Sequence, residues 1–241
     1  PEDRIVFDVG HQAYTHKLLT GRKGGFERLR QIGGISGFPR PTESPYDAFV
    51  AGHASTSISA ALGIAEAALL QKRTDYTVAV IGDGALTGGE AYEALNNAGR
   101  SRTRLIIILN HNDMSISKNV GAFAKYLAVL RSKPGYLRMK HNVDAFLRHL
   151  PLIGEPLRSW LKRSKSLLKS MLYPSTFFED MGFQYIGPVD GHDLKELSHA
   201  LTHAKELASP VVVQIETVKG KGCREAEENP GAYHAVSPEK S

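Results

Sequence analysis

Residues 80–115 read VIGDGALTGGEAYEALNNAGRSRTRLIIILNHNDMS. Two apolar runs, 78–81 and 105–109, each end in a small polar cluster, GDG and NHND. Uninterrupted runs of this kind suit central parallel strands covered on both faces, not the alternating pattern of a half-exposed sheet. Residues 90–97 between them read as a helix, with Gly99 as its C-terminal cap. A parallel β-α-β unit delivers both strand ends to one edge of the sheet, where ligands bind in open α/β folds. Asp83 is therefore expected to share that edge with Asn110 and Asn112. One carboxylate beside neutral amide oxygens suits Mg²⁺, which takes one or two protein carboxylates and completes its shell with phosphate oxygens and water. Gly82, Gly84, Gly88 and Gly89 let backbone N–H groups come close to a phosphate beside a helix N-terminus.

Working outward, residues 4–9 read as a first strand, followed by a glycine-punctuated stretch to Pro45. Residues 56–71, TSISAALGIAEAALLQ, read as a helix that packs through small side chains. Residues 193–207 read as a helix and 210–218 as a strand, while 123–175 read as a mostly helical insertion interrupted by prolines. The expected fold is α/β: a doubly wound, mostly parallel sheet with helices on both faces, forming one domain over residues 1–241 with the basic segment 123–175 inserted in it.

Bulk composition narrows the field. With 41% hydrophobic and 23% charged residues the chain is ordinary for a soluble globular protein, and it has no run of apolar residues long enough to span a bilayer. A single cysteine, Cys223, leaves no internal disulfide to form and is compatible with the cytoplasm. Eleven of the 30 lysines and arginines fall within residues 125–169, against Asp144 and Glu155 alone. That stripe carries no nucleic-acid motif and reads as a solvated helical face, so neither nucleic acid nor membrane is an expected partner. A nicotinamide-dinucleotide site is disfavoured, because Gly82-x-Gly84-x-x-x-Gly88 misses the required spacing and no acidic residue closes the second strand. The P-loop pattern is absent.

The strand-end clusters and the words around them resemble one family. DVGHQAYTHKLLTGR, GHASTSISAALGIA, GDGALTGGEAYEALNNAG, ILNHNDMSIS and GPVDGHD are similar to the 1-deoxy-D-xylulose-5-phosphate synthases, transketolase-like enzymes that use thiamine diphosphate. The resemblance runs from about residue 3 to 236 and is weakest in the basic segment. It implies a thiamine-diphosphate-binding fold and a decarboxylating transfer of a two-carbon unit from pyruvate to glyceraldehyde 3-phosphate. It implies Mg²⁺ held by Asp83, Asn112 and the backbone carbonyl of Met114. Gly84 and Ala85 would contact the diphosphate through their backbone, Gly52, His53 and Ala54 would line the cofactor, and Lys219 would bring a cation to it. His11, His53 and His234 match family histidines near the reacting centre, with roles in proton transfer or alkoxide stabilisation that the residues alone do not separate.

Two positions depart from the family pattern. Cys223 stands where an aromatic residue usually touches the cofactor, and His111 stands where aspartate is common. Alternation along a strand is expected to turn His111 away from the metal. His16, His141, His149, His199 and His203 read as surface residues, and Trp160 as helix packing. The family's cofactor-activating glutamate belongs to a second domain, so the chain is expected to be a fragment, inactive alone, of a cytoplasmic homodimer in isoprenoid-precursor synthesis. Alternatives are one subunit of a split transketolase-like enzyme, or a non-catalytic cofactor-binding remnant.

Overall fold

The computed structural model describes residues 2–112, 177–207 and 209–233. The insertion 123–175, Met114, Trp160, His141, His149 and His234 lie outside these described residues. Among the described residues five strands form one sheet: β1 (Arg4–Phe7), β2 (Thr77–Gly82), β3 (Leu105–His111), β4 (Gln184–Asp190) and β5 (Val211–Glu216). Their order is β1-β2-β3-β5-β4, and every pair is parallel. Among the described residues the longer helices are α2 (Ser57–Leu70), α3 (Gly89–Ala98) and α5 (Leu194–Glu206); α1 (Tyr14–Lys17), α4 (Phe177–Asp180) and α6 (Arg224–Glu228) are short.

The apolar runs become strands because both of their faces are covered. Ala79, Ile81, Ile107, Leu109 and Val212 face one core with Ile58, Ala61 and Ala65 of α2 and Ala91, Ala94, Leu95 and Ala98 of α3. Ile106, Val211 and Val213 point the other way, against Ala200 and Ala204 of α5. The doubly wound arrangement expected from the sequence is the one observed. The alanines on the buried helical faces remove little entropy and let helix and sheet approach closely. α5 is capped by Asp193, whose carboxylate accepts the Lys195 and Glu196 N–H groups at 2.9 and 3.1 Å.

Three differences from the sequence reading have physical causes. β4 was not expected, because Gly187 and Pro188 interrupt its apolar pattern; the strand is tolerated because it is an edge strand, with its register shift placed between Ile186 and Val189. β1 ends at Phe7, and Val9 turns the chain with φ +61°. Gly99 does follow α3, but with ordinary helical angles; it is required by close packing, since a Cβ there would sit 2.1 Å from the Met181 carbonyl oxygen.

The stretch between β1 and α2 is held by an ion-pair network and not by a large apolar core. The fully buried Lys17 donates to Glu43 at 2.7 Å and to the Ser36 carbonyl at 2.9 Å. Asp47, buried, accepts two Arg22 bonds at 2.6 and 2.8 Å and lies 3.0 Å from His16 Nε2. His16 is therefore a half-buried partner of this network, which corrects its reading as a surface residue; His199 and His203 are exposed as expected. Burial opposes ionisation of Asp47, but hydrogen bonds from Arg22, the Arg40 N–H and His16 outweigh it and hold the carboxyl below its ordinary value. Glu43 is lowered likewise, by Lys17 and Ser36 against the effect of burial. A depressed folded-state value means the network's contribution is complete above the unfolded carboxylate range and is lost as pH falls through the folded value. Asp47→Asn is expected to cost about 2–3 kcal/mol near pH 7 by taking from Arg22 its two-bonded carboxylate and leaving it Glu43 at 3.8 Å. The gap to wild type is expected to shrink as pH falls below the ordinary carboxylate range, as measured by urea unfolding at each pH.

Candidate functional site

The chain advances through β1, β2 and β3, then passes to the edge strand β4 and steps back to β5. The order reverses between β3 and β5, and α2 and α3 lie on one face while α5 lies on the other. Ligands of open α/β sheets bind outside the carboxyl ends of the strands at such a reversal. A cleft of about 490 Å³ opens there, lined by residues ending β3, β4 and β5, among them His111, Asn112, Asp190, Glu216 and Lys219.

Asp83, directly after β2, is 3% exposed. Its Oδ1 accepts the Gly84 N–H at 2.8 Å. Its Oδ2 is buried and 3.0 Å from His111 Nδ1, without the alignment of a hydrogen bond. This corrects the expectation that His111 points away: β2 and β3 pair Gly82 with Asn110, so the next residues, Asp83 and His111, stand opposite each other. Asn110, expected to offer its oxygen beside Asp83, is engaged elsewhere. Its amide donates to Gln12 at 2.9 Å and its oxygen accepts the Thr217 hydroxyl at 2.6 Å. Asn112 lies two residues further on, at the cleft.

Lys219 reaches the same region from the loop after β5. Burial lowers the pKa of its ammonium, and the Asp83 carboxylate acts in the opposite direction. The two groups are thus close enough to sense each other, with Asn112 and Lys219 both on the cleft wall. An excess of partly dehydrated charge at a strand-end crevice is typical of functional sites.

A second strand-end carboxylate organises the other side. Asp8, fully buried after β1, accepts the Ser55 N–H at 2.9 Å through one oxygen and the Ser57 N–H at 3.1 Å through the other. Ser55, with φ +72°, donates its hydroxyl to the Ala85 carbonyl at 2.7 Å. The Gly52-His53-Ala54 segment is thereby tied to the end of β1 and to the turn after Asp83. These three residues are exposed, as is His11, whose neighbour Gln12 carries the bond to Asn110. Gly84 and Ala85 form the turn after Asp83, where the Gly84 N–H is directed to Asp83 and the Ala85 carbonyl to Ser55. Cys223 is exposed at the start of α6, outside the lining of the cleft.

Sequence reasoning missed Asp8, Gln12, Ser55 and Thr217. Asp8 carried a usable signal, since it ends an apolar strand in the same manner as Asp83. Gln12 and Thr217 carried none, because their importance comes from non-local hydrogen bonds across the sheet.

This arrangement, a parallel sheet with a buried carboxylate directly after β2 and a strand-end crevice walled by Asn112 and Lys219, defines an α/β class of domain with its crevice at the topological reversal. Its fold is that of transketolases: the structure superposes on transketolase from Campylobacter jejuni with a TM-score of 0.65 at 23% identity, covering 95% of this chain and 31% of that one. Transketolase from Leishmania mexicana gives 0.57 at 22% identity, over 89% of this chain and 28% of that one.

Within that class the sequence is more specific. The 1-deoxy-D-xylulose-5-phosphate synthase family model matches residues 1–217, and the chain belongs to that family. It is 53% identical over 236 residues to the 1-deoxy-D-xylulose-5-phosphate synthase of Clostridium kluyveri, covering 98% of this chain and 38% of that protein. The synthase of Desulforudis audaxviator is 52% identical over 238 residues, covering 99% of this chain and 38% of that protein. The chain thus spans a little over a third of the length of these relatives.

Proposed function

We propose that this chain is the diphosphate-binding domain of a 1-deoxy-D-xylulose-5-phosphate synthase, using thiamine diphosphate and Mg²⁺ to condense pyruvate with glyceraldehyde 3-phosphate and release CO₂. The observation that carries this reading is the buried Asp83, whose Oδ2 lacks an aligned donor and lies 3.0 Å from His111 on the wall of the cleft that Asn112 and Lys219 also line. A hard divalent cation supplies what that oxygen lacks, and the lysine complements a diphosphate. Asp83 and Asn112, with the Met114 carbonyl, would hold the metal. Gly84, Ala85 and Lys219 would hold the diphosphate, and Gly52, His53, Ala54 and Cys223 would complete the cofactor-binding set.

When bound, the cofactor supplies the electron sink for breaking a bond beside a carbonyl. The chain's own task is orientation and proton handling. His11, after β1, and His53, before α2, are exposed and would donate or accept a proton at a substrate oxygen, and His234 is assigned the same role by family resemblance. A second domain would supply the glutamate that acts on the cofactor's aminopyrimidine and the groups that hold the triose phosphate. By the same resemblance, the complete enzyme would be a cytoplasmic homodimer serving isoprenoid-precursor and thiamine synthesis.

Calorimetric titration tests the reading. Thiamine diphosphate is expected to bind the chain with Mg²⁺ present and to lose that binding when the metal is removed with EDTA. Equal binding in both conditions, or none in either, overturns it.

A further inference from the structure

Lys219 reaches the cleft from a turn, and the turn is held by a side chain outside the set assigned above. The β3–β5 ladder continues to Thr217, whose N–H donates to the His111 carbonyl at 3.0 Å. Beyond it, the Val218 N–H donates to Nε2 of His192 at 2.8 Å. The Val218 carbonyl in turn accepts the Lys221 N–H at 3.2 Å, closing a four-residue turn with Lys219 and Gly220 at its centre. Gly220 has φ +78°, the left-handed angle that the third position of a type II turn demands. The two polar backbone groups of Val218 are therefore both committed, one within the turn and one to His192.

His192 is itself held in place. It belongs to the GHD segment between β4 and α5, where its own N–H donates to Asp190 Oδ1 at 2.8 Å. The preceding Gly191 N–H donates to the Glu216 carbonyl at 2.8 Å, which ties this segment to the end of β5. Accepting an N–H through Nε2 requires that nitrogen to carry a lone pair, so the ring is neutral with its proton on Nδ1. His192 and Lys219 both line the cleft.

We propose that His192 is a positioning residue for diphosphate binding: by accepting the Val218 N–H it fixes the turn that presents the Lys219 ammonium to the anion. The proposal rests on the reading of Lys219 as the diphosphate's cation. It assigns His192 no contact with the reacting atoms. It also gives the GPVDGHD segment a function, since the only side chain of that segment that reaches the lysine turn through a described hydrogen bond is its histidine.

The test measures dissociation constants of thiamine diphosphate with Mg²⁺, and separately of inorganic pyrophosphate with Mg²⁺, for a small set of variants of this chain. His192→Phe removes the acceptor and is expected to weaken both ligands about 10-fold, to the level of Lys219→Met. The double variant is expected to bind no worse than Lys219→Met, because both changes act through one ammonium. His192→Gln carries an amide oxygen at similar reach and is expected to stay within about 2-fold of wild type. Should His192→Phe fail to fold, His192→Asn takes its place, its shorter amide falling short of Val218. Wild-type affinity in the acceptor-less variant, failure of glutamine to rescue, or additive losses in the double variant would each overturn the proposal while leaving the diphosphate reading intact. Absence of binding by the wild-type chain overturns both.

Discussion

Asp83→Ala is expected to weaken Mg²⁺-dependent thiamine-diphosphate binding by at least about 100-fold, which corresponds to roughly 3 kcal/mol. Asp83 is the sole carboxylate of the proposed metal set, the other donors being an amide and a carbonyl. Without it, a divalent ion faces only neutral oxygens and Lys219, and the ammonium repels it. The stability cost is expected to be small, about 1 kcal/mol, because in this structure the carboxylate accepts one aligned hydrogen bond, from Gly84. Binding and folding are thus separable at this position. Titration of the variant alongside its thermal unfolding curve checks the prediction; retained affinity in a folded variant would remove Asp83 from the metal site. Asp83→Asn is expected to behave the same way, since it keeps the shape and loses the charge.

Asp8→Ala is expected to be the more damaging change to the fold. Both carboxylate oxygens are buried and each accepts a backbone N–H, from Ser55 and from Ser57 at the start of α2. Hydrogen bonds to an ionised acceptor are worth about 1.5–3 kcal/mol each, so the loss of two is expected to be about 3–6 kcal/mol. For a chain of this size that is a fall in Tm of about 10 °C. The same two bonds fix the segment bearing Gly52, His53 and Ala54, so any cofactor affinity left in the variant is expected to fall as well. Asp8→Asn keeps one acceptor and is expected to lie between. A Tm within about 2 °C of wild type for Asp8→Ala would show that the α2 N-terminus is held by other means.

These two aspartates mark how far the sequence could be read. The strands β2, β3 and β5 were legible because they are continuous apolar runs, and helices α2, α3 and α5 because their small residues recur on one face. Asp83 was singled out because its strand end stands beside the one that carries Asn110 and Asn112, a joint pattern that a lone carboxylate after a strand does not make. Asp8 also follows a strand, but its partners are backbone N–H groups 47 and 49 residues away, which no local pattern reveals. β4 was obscured by Pro188, whose tolerance depends on the strand lying at the sheet edge. His111 was misplaced because alternation was followed along β3 alone, while the register with β2 sets Asp83 and His111 opposite each other on neighbouring strands, side chains toward one face. Lys17 and Asp47 were invisible because their burial depends on a loop whose conformation they themselves create.

The Lys17–Glu43 and Arg22–Asp47 pairs also bear on function. They hold the stretch 14–47 that packs behind the Gly10–His11 turn, where a Cβ on Gly10 would lie 1.7 Å from the Gly37 carbonyl oxygen. Polar anchoring of this kind fixes a conformation without a large apolar core, at the expense of acid sensitivity. His11 is thus presented by a loop whose geometry is set by charge pairing, and the acid-unfolding behaviour of Asp47→Asn reports on that support directly.

The most direct measurement is a crystal structure of the chain grown with Mn²⁺ and thiamine diphosphate, with the metal located by its anomalous scattering. The expected result is one ion bound by Asp83 and Asn112 side-chain oxygens and by diphosphate oxygens, with Lys219 on the same anion. An ion bound elsewhere, or a diphosphate seated away from the ends of β2 and β3, would contradict the assignment.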